Sequence, residues 1–337
     1  MNRIQMVFIA MLTFAIIGCK EKENRYMQIT GNTQGTTYNI MYKSANADDY
    51  SKEIDSILLN FDASLSTYLP NSIISKVNNN ETPELDHLFR TVFKRSLQIS
   101  RETDGAFDIS IGQLSSAYGF GFKKKEIITK ELIDSLLQYV GYNKISLSDS
   151  AVIKTNPNIM LDVNAIAQGY SVDVICDFFE SKNITDYMVE IGGEVRAKGV
   201  NKAGTAWRIG IDKPIDGSTA EDRELQTIVN LSNKSLATSG NYRKFYVEND
   251  MKYSHTINPH TGFPVKHNLL SATVIANNCM DADAYATVCM VLGPDAGMKL
   301  IKNLPNVEAY FIIADSTHVN NYRITSSPGF AFFLPDE

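Results

Sequence analysis

The chain has 337 residues, 44% of them hydrophobic and 21% charged, which is enough material for the core of one large domain or two small lobes. Its net charge of −6 excludes the basic surface of a general nucleic-acid binder. No run of like charges is long enough to act as an interaction tail.

The first segment stands apart. Arg3 supplies a positive start, residues 6–17 form an apolar run broken only by Thr13, and Gly18-Cys19 follows at once. The run is too short for a comfortable transmembrane helix and suits a cleaved signal peptide. Ile16-Ile17-Gly18-Cys19 resembles a bacterial lipobox. The resemblance implies a lipoprotein signal peptide over 1–18 and a lipid-bearing Cys19 that becomes the mature N-terminus. A plain anchor or secretion signal with an incidental cysteine is the alternative. Each buried acyl CH₂ is worth about 0.8 kcal/mol, so several chains on one cysteine hold a protein firmly on a membrane. Residues 19–27 then read as the lipidated cysteine and a polar tether, and 28–337 as the folded domain. The remaining cysteines, Cys176, Cys279 and Cys289, are odd in number and sit among apolar neighbours. They read as buried small hydrophobes, with a single disulfide as the alternative.

In chain order, Tyr38, Ile40 and Tyr42 alternate as in a half-buried strand. Helical spacing follows over 48–61 through Ile54, Ile57, Leu58 and Phe61, and over 84–102 through Leu88, Phe89, Val92, Phe93 and Leu97. Thr129 caps a third helix, with Leu132, Leu136, Leu137 and Val140 facing inward and Gly141 at its end. Residues 159–163 read as a short apolar strand entering a helix over 164–180. Strands are expected at 187–191, 194–199, 207–212, 225–231, 244–247 and 270–276, with turns such as Gly192-Gly193 between them. A helix over 280–292, then a further helix and strands, completes the chain. The mixture lacks regular βαβ alternation, so the expected class is α+β: a single domain of mixed and antiparallel sheets with flanking helices, in two lobes.

Three segments could carry chemistry. Asp283 and Thr287 are four apart at the start of an apolar helix and share one face, offering the hard oxygens that Mg²⁺ or Ca²⁺ prefers. The plainer alternative is that Asp281 or Asp283 merely complements the helix dipole. Asp162 stands where a helix begins, with small Ala165, Ala167 and Gly169 along it; helix starts offer N–H groups to phosphate. A well-packed capped helix accounts for the same pattern. Residues 253–264 place His255 and His260 among hydroxyls and turn-formers, where a histidine could serve as a base or sit idle on the surface. There is no Walker loop, Gly-x-Gly-x-x-Gly, zinc motif or Gly-x-Ser-x-Gly elbow.

Taken together and in order, these blocks resemble the ApbE family, the FAD:protein FMN transferases. The resemblance runs from about Gln34 to about Gly293. It rests on Gly35-Thr36-Thr37-Tyr38, Leu65-Ser66-Thr67-Tyr68, Gly105-Ala106-Phe107-Asp108-Ile109-Ser110 and the stretch from Asp162 to Asp173. Further along it takes in Ile191-Gly192-Gly193-Glu194, Ala237-Thr238-Ser239-Gly240-Asn241-Tyr242, Ser254-His255-Thr256-Ile257-Asn258-Pro259 and Ala282-Asp283-Ala284-Tyr285-Ala286-Thr287. It implies a flavin cleft between the lobes, FAD as substrate and a divalent cation at its pyrophosphate: Mg²⁺, with Ca²⁺ or Mn²⁺ as alternatives. Asp283 and Thr287 would ligate the cation with side-chain oxygens and Ala165 with its carbonyl. Gln34, Tyr68, Ala106, Phe107, Asp108, Asp162, Gln168 and Ile257 would contact FAD, and His255 would be catalytic.

The chain departs from the family pattern at Gln34, where many members have methionine, and at Gln168, where Lys or Glu is common. Asn164 and Ala286 also differ, the latter lacking an acidic side chain that some members place beside the metal. The implied reaction moves FMN from FAD to a Thr or Ser hydroxyl and releases AMP; positioning and charge neutralisation carry such transfers. The implied acceptors are flavoprotein subunits of sodium-pumping quinone reductases or related electron-transport complexes. The implied location is extracytoplasmic, on a membrane facing the periplasm, with the inner membrane favoured. The alternatives are an FAD pyrophosphatase giving FMN and AMP, and a non-catalytic flavin-binding lipoprotein.

Overall fold

Alternating apolar residues build the sheet from its first hairpin. In the computed structural model, which describes residues 25–120, 126–215, 224–241, 245–248, 251–254 and 256–335, β1 (Arg25–Thr33) pairs antiparallel with β2 (Thr36–Ser44). Cys19 and His255 lie outside the described residues. The β1–β2 turn is Gln34-Gly35, both at positive φ (50° and 73°). Tyr38, Ile40 and Tyr42 of β2 are buried together, as their spacing predicts. Because Arg25 already pairs with Ser44, the strand takes in the last residues, 25–27, of the expected tether.

The helices follow as α1 (Ser51–Leu65), α2 (Ile73–Asn78), α3 (His87–Glu102), α4 (Gly112–Ala117) and α5 (Lys130–Leu137). After the small hairpin β3 (Ile145–Leu147) and β4 (Val152–Lys154) comes the long α6 (Asn164–Ser181). Next are β5 (Tyr187–Ile191), β6 (Glu194–Lys198), β7 (Trp207–Asp212), β8 (Leu225–Leu231), β9 (Lys234–Gly240), β10 (Phe245–Glu248), β11 (Met251–Ser254) and β12 (Leu269–Ala276). The chain then forms α7 (Cys279–Leu292), α8 (Pro294–Asn303), β13 (Glu308–Ala314) and β14 (Tyr322–Ser326). The main sheet has eight strands in the order β1-β2-β5-β6-β9-β12-β13-β14, and every neighbouring pair is antiparallel. This is the α+β class expected.

Period-two alternation divides the sheet into two faces. On β13, Ala309, Phe311 and Ile313 join the core under α3, α6 and α7. Tyr310 and Ile312 point the other way, against Trp207 and Val229 of the β7–β8 hairpin and Phe330 of a C-terminal 3-10 turn. Helices therefore cover one face and a hairpin the other. Among the described residues, no helix is long and apolar enough to cross a membrane. Cys176, Cys279 and Cys289 are free and buried, as their apolar surroundings predict.

Two local readings change, and strand β9 was not expected. Residues 159–163 form no strand: only Met160 bridges to Ile111, and the segment is tied instead by the Asn78 amide at both backbone groups of Leu161 (2.7 and 2.9 Å). The third helix stops at Leu137, and its buried residue is Ile133, with Leu132 only partly covered. The hydroxyl-rich β9 has no strong apolar alternation, because its Thr238 pairs with Thr273 of β12 (2.8 Å) through hydroxyls.

The close contact of α6 with α7 governs everything near the site. Gly169 permits it: a Cβ there would lie 2.3 Å from the Cys279 carbonyl oxygen and 2.7 Å from Cβ of Asp283. Replacing a mid-helix glycine by alanine ordinarily stabilises a helix by about 1 kcal/mol. Here overpacking should win, and Gly169→Ala is expected to lower stability by about 1–3 kcal/mol in urea unfolding. A stabilised variant would contradict the contact.

Candidate active site

The site is built on α6 and α7, which run in opposite directions. Two hydrogen bonds fix their register: the Gly169 N–H donates to Oδ2 of Asp283 (3.0 Å), and the Cys279 N–H donates to Oδ1 of Asp173 (2.9 Å). Gly169 and Asp173 are one helical turn apart on α6, as Cys279 and Asp283 are on α7. Continued by one turn, the same register would set Ala165 opposite Thr287. In an uninterrupted α-helix the Gly169 N–H donates to the Ala165 carbonyl. Ala165 thus lies one turn before Gly169 on the same face of α6, the face that meets Asp283. The Thr287 hydroxyl adds a third oxygen and lies 3.3 Å from Oγ of Ser239 on β9.

A buried carboxylate, a hydroxyl and a carbonyl form a hard-oxygen donor set that fits Mg²⁺ or Ca²⁺. Burial pushes the Asp283 carboxyl up to about 7, opposed only by the Gly169 N–H. A cation would relieve this incompletely compensated charge. Asp281, by contrast, fulfils the plainer role expected at a helix start. Its N–H donates to the Asn278 cap (2.8 Å), and its carboxylate accepts Nε of Arg95 from α3 (2.6 Å).

The other expected residues fall around α6. Asp162 precedes the helix and accepts the Asn164 N–H (2.9 Å), with its carboxyl pushed up by burial. The Tyr68 side chain is half exposed; partial burial of its hydroxyl, and then the nearby Asp162 carboxylate, push its pKa up. Gln168 donates its amide to the Ile191 carbonyl (3.0 Å) and to Glu194 (2.5 Å), which ties α6 to the β5–β6 turn. Gln34 reaches α6 from the β1–β2 turn, where its Oε1 accepts from Ser171 (3.4 Å). Its buried Nε2 has no hydrogen-bond partner among the described residues.

Ala106, Phe107 and Asp108 are buried. The Asp108 carboxylate accepts from the Ser110 N–H (2.8 Å), the Ser110 hydroxyl (2.7 Å) and the Tyr142 N–H (2.6 Å). Burial raises its pKa and these bonds oppose the rise. The Asp108 carboxylate is thus committed to bonds within the protein. Its neighbour Ile109 accepts the Asp162 N–H (2.8 Å), which seats this loop against the start of α6. Ile257 packs with Leu114, Tyr118 and Ile133, and Thr256 donates to Asn241 at the end of β9 (3.2 Å).

A sequence model of the ApbE family matches residues 34–311, most of the chain. The chain belongs to the ApbE family. It is 34% identical to an FAD:protein FMN transferase of Haemophilus influenzae over 95% of this chain and 94% of that protein. It is 35% identical to one of Vibrio cholerae over 84% of this chain and 86% of that protein. Its fold is similar to the solved flavin transferase ApbE of Vibrio cholerae, with a TM-score of 0.81, 33% identity, and coverage of 92% of this chain and all of that one. It is also similar to the ApbE protein of Thermotoga maritima, with a TM-score of 0.79, 25% identity, and coverage of 93% and 100%.

Two features of this ApbE site escaped sequence reasoning. Arg196 pairs with Asp173 (2.9 Å), and Ser239 meets Thr287; both partners come from distant strands. Only the polar residues Asp173 within apolar α6 and Ser239 within a strand hinted at them.

The Asp283 carboxyl gives a pH signature to the metal-free protein. An unfolded Asp ionises near pH 4, so the folded state holds its proton more tightly. That stabilisation is full below about pH 4 and is lost as pH rises through about 7. In EDTA, Tm should therefore fall as pH rises from about 4 to about 7 and level off above that, and Asp283→Asn should reduce the fall. At pH 8, Mg²⁺ should raise Tm of the native protein but not of the variant. A Tm response to Mg²⁺ equal in both would contradict the assignment.

Proposed function

We propose that the chain transfers the FMN half of FAD to a threonine or serine hydroxyl of an acceptor flavoprotein and releases AMP. One observation carries the reading: a buried Asp283 carboxylate, met by a single N–H of α6, stands one turn before the Thr287 hydroxyl on α7 in a member of a family of FAD:protein FMN transferases. The acceptor oxygen attacks the phosphorus on the FMN side, the bridging P–O bond breaks, and AMP departs with the bridging oxygen. Asp283, Thr287 and the Ala165 carbonyl would hold a divalent cation, Mg²⁺ or else Ca²⁺ or Mn²⁺. When bound, that cation neutralises charge on the pyrophosphate.

His255 accepts the proton of the attacking hydroxyl, a task suited to a group with an ordinary pKa near 6.5. Gln34 presents its unpaired amide N–H to a flavin acceptor atom. Tyr68, Asp162, Gln168, Ile257 and the backbone of 106–108 complete the contacts to FAD. The acceptors on this reading are extracytoplasmic subunits of sodium-pumping quinone reductases or related electron-transport complexes. The apolar leader and Gly18-Cys19 support a lipid anchor on Cys19 that holds the enzyme at a membrane facing the periplasm.

Mass spectrometry of an acceptor domain incubated with the enzyme, FAD and Mg²⁺ tests the reading, alongside an AMP assay. The acceptor should gain the mass of one FMN for each AMP released. Asp283→Ala should lose about a hundredfold in rate, given the several kcal/mol a catalytic cation supplies. His255→Ala should lose between about 10² and 10⁴. AMP release with no mass gain on any acceptor would favour hydrolysis of FAD instead.

A further inference from the structure

Asp173 is a buried carboxylate on α6 that the reaction itself does not use. It is 5% exposed, and both its oxygens are committed to the first turn of α7. Oδ1 accepts the Cys279 N–H (2.9 Å) and Oδ2 the Met280 N–H (2.8 Å). Asn278 takes the Asp281 N–H (2.8 Å), so the opening N–H groups of α7 are satisfied by protein and are not offered to a phosphate. Arg196 of β6 holds Asp173 from the opposite side (2.9 Å) and is itself held by Glu180 (3.2 Å), further along α6.

We propose that Asp173 is the positioning residue of the cation site: it sets the register of α7 against α6 and thereby places Asp283 and Thr287 opposite Ala165. The two interhelical bonds are reciprocal. Asp173 of α6 accepts from Cys279 of α7, and Asp283 of α7 accepts from Gly169 of α6. They are successive rungs of one antiparallel ladder, and its continuation by one helical turn would bring Ala165 to Thr287. The rung at Asp173 is the anchored one, because its two acceptor oxygens meet two N–H groups and a guanidinium. The rung at Asp283 has one N–H and must stay open to a ligand. With Asp173 shortened, α7 keeps its fold through Asn278 and Arg95, but its phase along α6 is no longer fixed at the rung next to the ligands. Metal sites lose affinity steeply when supporting residues no longer orient their ligands.

The inference rests on the ligand assignment above, and the test separates the two. Mg²⁺ alone is titrated into the full chain by calorimetry, for native protein, Asp283→Ala, Asp173→Ala, Asp173→Asn, Arg196→Lys and the core control Ile312→Val. Ile312 lies on the far face of the sheet. Asp283→Ala should abolish binding. Asp173→Ala should weaken it about tenfold or more while circular dichroism stays native. Asp173→Asn, which keeps an acceptor oxygen, and Arg196→Lys, which keeps the charge, should fall between. Ile312→Val should lower Tm and leave the affinity unchanged. Should Asp173→Ala fail to fold, Asp173→Asn and Arg196→Lys carry the comparison against Ile312→Val. Unchanged Mg²⁺ affinity in folded Asp173 and Arg196 variants, with Asp283→Ala inactive in binding, overturns the positioning role alone. Native affinity in Asp283→Ala overturns the ligand assignment and the positioning role with it.

Discussion

Two buried carboxylates face each other's helices across α6 and α7, and the rest of the site depends on how differently their charges are met. Asp173 is answered by two backbone N–H groups and Arg196, and its carboxyl still rises to about 6. Asp283, one turn away in the ladder, has a single N–H and rises to about 7. Burying a charge is costly unless it is paired and hydrogen-bonded. The fold gives more compensation to the carboxylate that holds the helices and leaves the other with less. A buried acid with an unmet charge, in a place where neutral oxygens converge, is what a divalent cation resolves.

The sheet and outer helices exist, in functional terms, to keep this pair aligned. Gly169 lets the helix backbones approach until an inter-helix N–H···carboxylate bond is possible, and no larger residue fits there. Arg95 of α3 clamps Asp281 and reaches the Tyr285 hydroxyl (3.3 Å), which anchors the outer side of α7. Gln168 ties α6 to the Gly192-Gly193 turn, whose residues both take positive φ (60° and 107°) so that β5 and β6 can meet in a two-residue hairpin. On the other side of α7, Ser239 joins β9 to Thr287. Each of these elements thus holds the helix pair from a different side.

Much of this was readable in the sequence where one local rule dominates. The edges of β5, β7 and β8 follow from alternation and turn residues, and Thr129 caps α5 as its hydroxyl predicts. The Asp283/Thr287 spacing was visible, yet its meaning came from resemblance, since an acid early in a helix fits the dipole equally well. What spacing could not show is long-range. Residues 159–163 are apolar enough for a strand, but the Asn78 amide occupies the backbone groups a ladder would need. Strand β9 is concealed by its hydroxyls, which are polar because they pair with β12 and α7. Asp173 looked like any polar residue on a helix until Arg196 and the start of α7 were seen around it.

The central claim is that the α6–α7 register assembles a hard-cation site from Ala165, Asp283 and Thr287. Anomalous diffraction from crystals soaked in Mn²⁺ tests it most directly. The account predicts one strong peak within about 2.1 Å of the Ala165 carbonyl oxygen, an Asp283 carboxylate oxygen and the Thr287 hydroxyl. A peak held by other residues, or none between these helices at saturating Mn²⁺, would contradict it.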